Sequence, residues 1–222
     1  MNSLSPIHKI GDQMSDIYTL HDKSADKDEV KEKIISLLEM VNLPPRVYTM
    51  YQHELSGGMM QRVSIALSLM HNPKLIIMDE ATTALDVITQ GQILNEISEL
   101  EKKLKVARIM ISHDMSVVAN TCRKIAVMYA GYLVEFGLVE DVILNPMHPY
   151  TQGLLKSFPS LKGERVELRS IPGYLPDLSI SHEGCIFKDR CSQKRNDCLC
   201  KAPQTHILKN GRMVMCNLAG GN

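Results

Sequence analysis

Apolar residues recur at helical spacing in the first half of the chain. In residues 28–41 they occupy one helix face, acidic residues stand at the start, and Pro44-Pro45 follow the end, which predicts an amphipathic helix. A second helix is expected over residues 87–104. Residues 1–25 carry few apolar positions and a Ser5-Pro6 step, so we expect a loop there.

Three short, mostly apolar stretches predict β-strands. Residues 75–78 and 106–111 are typical of strands that are covered on both faces of a sheet. Residues 124–129 form a third strand pattern, which turns at Gly131 into residues 133–135. Because strands alternate with helices, the pattern indicates an α/β fold with a largely parallel, doubly wound sheet.

A tight glycine pair lies at the start of a further helical stretch, in the sequence Leu55-Ser56-Gly57-Gly58-Met59-Met60-Gln61-Arg62. Ser56 is a suitable N-cap, and two glycines let a ligand approach backbone N–H groups that have no partner in the first helical turn. Those groups and the positive end of the helix dipole form a site for a phosphate. The same sequence also suits an ordinary helix cap.

Ionisable side chains follow two of the predicted strands. Asp79 and Glu80 come directly after residues 75–78, and His113 follows residues 106–111. Parallel strands end at the same edge of a sheet, where open α/β sheets bind ligands. The edge is therefore a candidate site, although acidic loops and structural histidines also follow strands in many proteins. Asp86 is a second candidate helix cap.

The composition excludes some classes of function. The 222 residues carry 25 Lys+Arg against 25 Asp+Glu, no Trp and three Phe, which disfavours nucleic-acid binding because both basic charge and stacking platforms are scarce. No apolar run reaches the length of a membrane span, and the polar start is unlike a signal peptide. We expect a cytosolic chain that serves a membrane only through partners.

The order of the motifs carries more information than any one of them. A Leu-Ser-Gly-Gly helix, a strand ending in Asp79-Glu80, the sequence Ala84-Leu85-Asp86 and a strand followed by His113 together resemble the ATP-binding subunits of ABC transporters. In that family the signature motif contacts the γ-phosphate of an ATP held mainly by a partner subunit. The resemblance implies that this motif comprises Leu55, Ser56, Gly57, Gly58 and Gln61.

The resemblance also implies roles for the ionisable residues. Asp79 is similar to the Walker B aspartate, which holds Mg²⁺ through water, and Glu80 to the carboxylate that polarises the attacking water. Asp86 lies in a segment that resembles the D-loop, which couples two ATP sites, and His113 resembles the switch histidine, which senses the γ-phosphate. Phosphoryl transfer depends on positioning and charge stabilisation, which agrees with these residue types.

One part of the family pattern has no counterpart in this sequence. Nothing matches Gly-x-x-x-x-Gly-Lys-Ser/Thr, the Walker A loop that cradles the phosphates. Residues 1–6 resemble the stretch after the Q-loop glutamine, with Ser5 in place of the usual Asn. We therefore expect an incomplete P-loop NTPase core with a helical subdomain, from a truncated or split gene or a misplaced start. Such a chain is expected to be inactive alone, yet able to complete a partner's ATP site.

A third region lies near the C-terminus. His148-Pro149-Tyr150-Thr151 and the following Leu154-Leu155-Lys156-Ser157-Phe158-Pro159 suit a proline-stiffened linker, but they also resemble the C-terminal extension of oligopeptide and dipeptide transporter ATPases, whose relatives also carry nickel. That resemblance implies an importer ATPase with parts at residues 1–72, 73–137 and 138–222. The alternatives are a non-catalytic partner or gene-decay fragment and a soluble, non-transport ABC ATPase.

The importer resemblance implies partners and a location. A second ABC ATPase subunit, in a homodimer or heterodimer, and integral membrane permease subunits are the direct partners, and an extracytoplasmic substrate-binding protein is an indirect one. The implied location is peripheral, on the cytoplasmic face of the plasma membrane. The implied cargo is di- and oligopeptides.

Four cysteines form the last candidate site: Cys185, Cys191, Cys198 and Cys216. Their gaps of five, six and seventeen residues are wider than those of most structural zinc sites. Disulfides are disfavoured in the cytosol. Thiolates in a loop-rich segment suit an iron–sulfur cluster, and the segment resembles the family region that binds [4Fe–4S]. Zinc and unliganded thiols remain alternatives, and Cys200 is close enough in sequence to replace Cys198.

Overall fold

The computed structural model describes residues 4–81, 85–157 and 170–219. The chain divides into two compact units, Met1–His113 and Asp114–Asn222. The three-part division expected from the sequence, with boundaries near residues 72 and 137, stays a prediction. Residues 1–3 of the Q-loop-like stretch, Ala84 of the predicted D-loop and residues 158–169 lie outside the described residues.

The first unit is mainly helical. Its elements are α1 (Ile10–His21), α2 (Lys27–Met40), two short 3₁₀ turns (Pro45–Thr49 and Gln52–Glu54), α3 (Gly57–Leu69), β1 (Leu75–Asp79), α4 (Val87–Leu104) and β2 (Ala107–Ile111). The predicted helices over residues 28–41 and 87–104 are confirmed as α2 and α4. Asp26 begins α2 by accepting hydrogen bonds from the backbone N–H groups of Asp28 and Glu29.

The expected loop over residues 1–25 is wrong, because α1 occupies much of it. Ile10 and Met14, spaced one helical turn apart, are fully buried in the core of the first unit. A β-carbon on Gly11 would lie 2.6 Å from the ring of Tyr48, so the helix approaches that ring closely. A few well-placed apolar contacts therefore stabilise a helix that the sparse sequence pattern does not reveal.

The two strands of the first unit form a parallel pair, in register from Leu75 opposite Ala107 to Asp79 opposite Ile111. Their inward side chains, such as Met78, pack into the helical core. The expectation that both faces are covered is wrong: Ile77 is 63% exposed and Ile109 is 49% exposed. Among the described residues, helices cover only one face of this strand pair. Side chains along each strand therefore alternate between the covered face and the exposed face.

The second unit holds an antiparallel sheet with strand order β3–β4–β6–β5. Its elements are α5 (Met115–Thr121), β3 (Lys124–Tyr129), β4 (Tyr132–Leu138), α6 (Val139–Leu144), α7 (Pro149–Lys156), a 3₁₀ turn (Lys188–Arg190), α8 (Asp197–Cys200), β5 (Thr205–Ile207) and β6 (Met213–Met215). The α/β class is confirmed, but the expected largely parallel, doubly wound sheet is corrected, since β1 and β2 are the one parallel pair in the described part of the chain.

The predicted turn at Gly131 explains why β3 and β4 are antiparallel. Ala130 and Gly131 both have positive φ, 50° and 83°, which gives the two-residue hairpin turn that reverses the chain. No helix in the described ranges is long and apolar enough to cross a membrane.

Candidate functional site

The Ser56 turn begins α3 as the sequence predicts. Ser56 Oγ accepts a hydrogen bond from the backbone N–H of Met59 at 3.3 Å. Gly58 is buried, and a β-carbon there would lie 2.9 Å from Thr89 Cγ2. The second glycine is therefore required by the close approach of α4, which brings the N-terminal turns of α3 and α4 side by side.

Asp86, which the sequence predicts to lie in a D-loop, caps α4. Its carboxylate accepts from the backbone N–H of Thr89 at 2.9 Å and from Thr89 Oγ1 at 2.6 Å, and these bonds hold the pKa of Asp86 below its usual value. Leu85 reaches α3, since a β-carbon on Gly57 would lie 3.5 Å from Leu85 Cδ2. The signature-like turn and the end of the predicted D-loop are thus in contact.

The carboxyl edge of β1 and β2 brings together the predicted catalytic groups. The backbone N–H of Glu80 donates to the carbonyl of Ile111 at 3.0 Å, which extends the strand pairing by one residue. His113 Nδ1 lies 2.9 Å from both carboxylate oxygens of Glu80. The side chains of His113 and Glu80 are 76% and 41% exposed, so a ligand can reach both.

Glu80 has an unusual backbone conformation. Its φ of 50° lies in the left-handed region, which costs a residue other than glycine about 1–2 kcal/mol. Such strain concentrates at functional sites, where the surrounding structure holds it in place. Here the paired strands hold Glu80 at the end of β1 and direct its carboxylate to His113.

A cleft of about 450 Å³ adjoins the same residues. Gln61 of α3 lines it together with Asp79 and Glu80, so a residue of the predicted signature motif and the two acids border one space. Most of the remaining lining is apolar and includes Ile65, Leu69, Ile76, Ile97, Leu100 and Leu104.

Sequence reasoning missed two contacts between α3 and α4. Thr89 packs against Gly58, and Glu96 forms an ion pair with Arg62 at 2.8 Å. Arg62 and Glu96 are 34 residues apart on different helices, so neither local spacing nor helix periodicity reveals them.

The four candidate cysteines lie in the second unit. Cys198 and Cys216 are buried, and Cys185 and Cys191 are partly buried. Gly184 has a φ of 72°, and a β-carbon there would overlap the carbonyl of Cys198, which accepts from the N–H of Cys185 at 2.8 Å. The glycine lets the two cysteine-bearing segments meet.

The thiols are close enough to influence one another. Burial raises the pKa of Cys185, Cys191 and Cys216, and neighbouring members of the cluster raise each of these pKa values further. As a donor set, four thiols suit iron or zinc. The described residues nevertheless contain no group of three or more His, Cys, Asp or Glu side chains arranged to hold a metal ion. Cluster binding therefore stays a prediction.

The His148-Pro149-Tyr150 sequence forms a helix start and an aromatic socket. His148 Nδ1 accepts from the backbone N–H of Tyr150 at 3.0 Å and so caps α7, which excludes an irregular linker at residues 149–156. Phe187, between Cys185 and Cys191, packs on Tyr129, Tyr150 and His148 with ring centroids 5.1, 5.6 and 5.8 Å away. The motif thus anchors the first cysteine loop.

A buried ion pair completes this region. Glu135 on β4 is fully buried and accepts from the backbone N–H groups of Met147 and His148, each at 3.0 Å. The Arg212 guanidinium donates to the same carboxylate and to the carbonyl of Asn145. Three separate segments are joined through one carboxylate.

Two family models match this chain. Residues 2–83 match the model described as ABC transporter, and residues 134–198 match the model described as oligopeptide/dipeptide transporter, C-terminal region.

Known proteins are similar over nearly the whole chain. It is 43% identical to the oligopeptide transport ATP-binding protein OppD of Salmonella typhimurium, over 97% of this chain and 64% of that protein. It is 41% identical to OppD of Haemophilus influenzae, over 99% and 68%. It is 38% identical to the dipeptide transport ATP-binding protein DppD of Escherichia coli, over 98% and 67%. The chain thus spans about two thirds of the length of these relatives.

Solved structures agree with the sequence relatives. The bacterial ABC transporter cassette MJ0796, solved as a dimer, is similar with a TM-score of 0.55 and 25% identity, over 62% of this chain and 59% of that one. CbiO1 from Clostridium perfringens, part of the ABC transporter complex cbiONQ, has a TM-score of 0.57 and 26% identity, over 65% and 56%. The chain therefore belongs to the family of ABC transporter ATP-binding proteins that carry the oligopeptide/dipeptide transporter C-terminal region.

Proposed function

We propose that this chain is an ATP-binding subunit of an ABC importer that uses ATP hydrolysis to drive the uptake of di- and oligopeptides. The observation that carries the proposal is the meeting of Glu80 and His113 at 2.9 Å, directly after Asp79 at the end of a parallel strand pair. The match of residues 134–198 to the peptide-transporter region favours transport over a soluble, non-transport ABC ATPase.

Each residue at the strand edge has a separate role in the proposed ATP hydrolysis. Asp79 would hold Mg²⁺, and the metal would neutralise phosphate charge. Glu80 accepts a hydrogen bond from the attacking water and polarises it. His113 contacts the γ-phosphate and, through its hydrogen bond to Glu80, orients that carboxylate. These roles need no covalent intermediate with the protein.

The signature-like turn supplies the other half of an ATP site. In this proposal the Ser56 hydroxyl and the N–H groups at Gly57 and Gly58 face a γ-phosphate held by a partner subunit, with Leu55 and Gln61 supporting the turn. Asp86 connects that surface to the second site. The 222 residues contain no Walker A sequence, so the 222-residue chain alone is proposed neither to bind ATP tightly nor to hydrolyse it.

Two measurements test this function. Calorimetric titration of the purified 222-residue chain with MgATP is expected to give no stoichiometric binding. Tight binding would contradict the proposal that the ATP is held mainly by a partner subunit. A tagged chain purified from membranes of its source cells is expected to bring with it a permease and a Walker A-containing ATPase subunit. Recovery of the chain without either protein would contradict the importer assignment.

A non-catalytic partner is the second candidate, because the signature-like turn at Ser56 can complete another subunit's ATP site whether or not this chain hydrolyses ATP. ATP turnover by the purified complex separates the two. Glu80→Gln in this chain is expected to lower turnover by at least about tenfold if Glu80 is a catalytic residue. Unchanged turnover would assign the chain to the non-catalytic class.

We also propose that the four cysteines hold a structural [4Fe–4S] cluster, with Cys185, Cys191, Cys198 and Cys216 as ligands. The support is the full or partial burial of all four cysteines and the Gly184 contact that joins two of their segments. Anaerobically purified protein is expected to contain iron and labile sulfide. Zinc without sulfide would favour the zinc alternative, and the absence of both metals would favour free thiols.

The proposed partners are a second ABC ATPase subunit, membrane permease subunits and, indirectly, a substrate-binding protein. The proposed location is peripheral, on the cytoplasmic face of the membrane. Cargo selection belongs to the permease and binding protein, so transport assays with dipeptides, longer peptides and nickel on the purified complex are the test of cargo.

A further inference from the structure

Arg62 and Glu96 join the two helices that begin at the candidate ATP-facing residues. Arg62 Nε donates to Glu96 Oε2 at 2.9 Å, and Arg62 Nη2 donates to Oε1 at 2.8 Å. Two parallel bonds fix the direction of both side chains, which a single bond does not. The side chains are 16% and 22% exposed, so water competes less for this pair than for a surface ion pair.

The Glu96 carboxylate also lies beside a third element. Asn42, which follows α2 with a positive φ of 58°, lines the same surface recess as Glu96. The carboxylate on α4 therefore binds α3 next to the end of α2. Its two bonds to Arg62 resist rotation of α3 about its own axis.

The two helices touch at a second point near their N-termini, where Thr89 packs against Gly58. Arg62 lies in the second turn of α3, on the C-terminal side of that contact. Two contacts at different heights fix both the separation of the helices and their relative rotation. The direction of the first N–H groups of α3 depends on that rotation.

We propose that Arg62 and Glu96 are positioning residues, whose ion pair holds the N-terminal turn of α3 in fixed orientation to Asp86 at the start of α4. The signature-like turn and the D-loop then meet a partner's nucleotide as one rigid surface. The inference rests on the proposed function for its purpose, but its structural content can be tested without nucleotide.

The first test measures amide hydrogen exchange by NMR in the 222-residue chain. Met59 and Met60 donate their amides to Ser56, so their exchange reports on the turn. Arg62→Ala is expected to accelerate exchange at both amides by about tenfold. Arg62→Lys is expected to accelerate it less, because lysine keeps the positive charge but cannot donate the two parallel hydrogen bonds of a guanidinium group. The charge reversal Arg62→Glu with Glu96→Arg is expected to restore part of the protection.

Ile93→Val is the matched control. Ile93 is fully buried on α4, the helix that also carries Glu96, so the substitution lowers the stability of α4 without removing the ion pair. Equal acceleration in Arg62→Ala and Ile93→Val would overturn the proposal. The proposal would also be overturned if both amides exchanged faster in the charge-reversal double variant than in Arg62→Glu alone and in Glu96→Arg alone.

The second test uses the complex purified from native membranes. Arg62→Ala is expected to lower kcat for ATP by about tenfold with KM changed less than about twofold, while Ile93→Val changes neither. If the amides respond but no ATP turnover exists, the proposed function fails and the positioning role stands. If turnover exists and the amides do not respond, the positioning role fails alone.

Discussion

Two clusters of ionisable groups in this protein are built in opposite ways. Glu80 and His113 in the first unit are exposed and lie at a strand edge. Glu135 and Arg212 in the second unit are buried, and backbone groups of Met147 and His148 satisfy the remaining capacity of the carboxylate. Accessible groups remain available to a ligand, whereas buried and fully bonded groups contribute to stability. The comparison predicts that substitutions in the two clusters affect different properties.

The largest expected loss of stability comes from the buried cluster. Glu135→Ala would leave the Arg212 guanidinium and two backbone N–H groups buried without their acceptor, and we expect a loss of about 3–5 kcal/mol in the free energy of unfolding. Denaturant unfolding followed by near-ultraviolet circular dichroism reports on Tyr129 and Tyr150, which pack together in this unit. Glu140→Gln, at an exposed position on α6, is the control. A loss below about 1 kcal/mol would end the contrast between the clusters.

The same region predicts a pH dependence. Burial lowers the pKa of His148 to about 4, against about 6.5 in the unfolded chain, so the unfolded state binds the proton first as pH falls. The stability that neutral His148 contributes is therefore present above about pH 6.5 and is lost as pH falls toward 4, by about 3 kcal/mol.

His148→Asn is the matched variant for that measurement. Asparagine keeps an acceptor for the start of α7 but does not titrate. The difference in unfolding free energy between wild type and variant is expected to shrink as pH falls from about 7 to about 4. A constant difference over that range would show that His148 is not the titrating group.

A smaller effect is expected at the signature-like turn. Ser56→Ala removes the acceptor for the Met59 N–H and should cost about 1 kcal/mol of unfolding free energy, while Ser56→Gly should cost a few tenths. In the native complex, both variants are expected to lose ATP turnover beyond what this modest instability explains. Turnover that follows stability alone would reduce Ser56 to an ordinary helix cap.

The sequence predicted those features that depend on local or periodic rules. Ser56 and Asp86 are caps, α4 has its expected bounds, and the parallel register places Asp79, Glu80 and His113 at one edge. These results follow because capping, helical period and strand direction are properties of a few neighbouring residues.

Features that depend on distant residues were either not predicted or predicted wrongly. The ion pairs of Arg62 with Glu96 and of Glu135 with Arg212 join residues 34 and 77 positions apart. The helix α1 is stabilised by Ile10 and Met14 against a distant core, and the exposure of Ile77 depends on which elements cover its sheet. Tertiary packing decides each of these, and no local pattern encodes it.

The smallest expected change in stability is in the exposed cluster of Glu80 and His113. Glycine adopts the left-handed conformation of Glu80 without the penalty of a β-carbon, and this gain offsets the greater entropy of glycine in the unfolded chain. Glu80→Gly should therefore alter the free energy of unfolding by less than about 1 kcal/mol, and we expect a small gain. Its expected effect on the native complex is the loss of ATP turnover, measured beside Glu140→Gln as the control. A residue that can be removed without cost to the fold, yet not without cost to turnover, is held in its conformation for chemistry. A loss comparable to that of Glu135→Ala would instead make the Glu80–His113 contact a structural one.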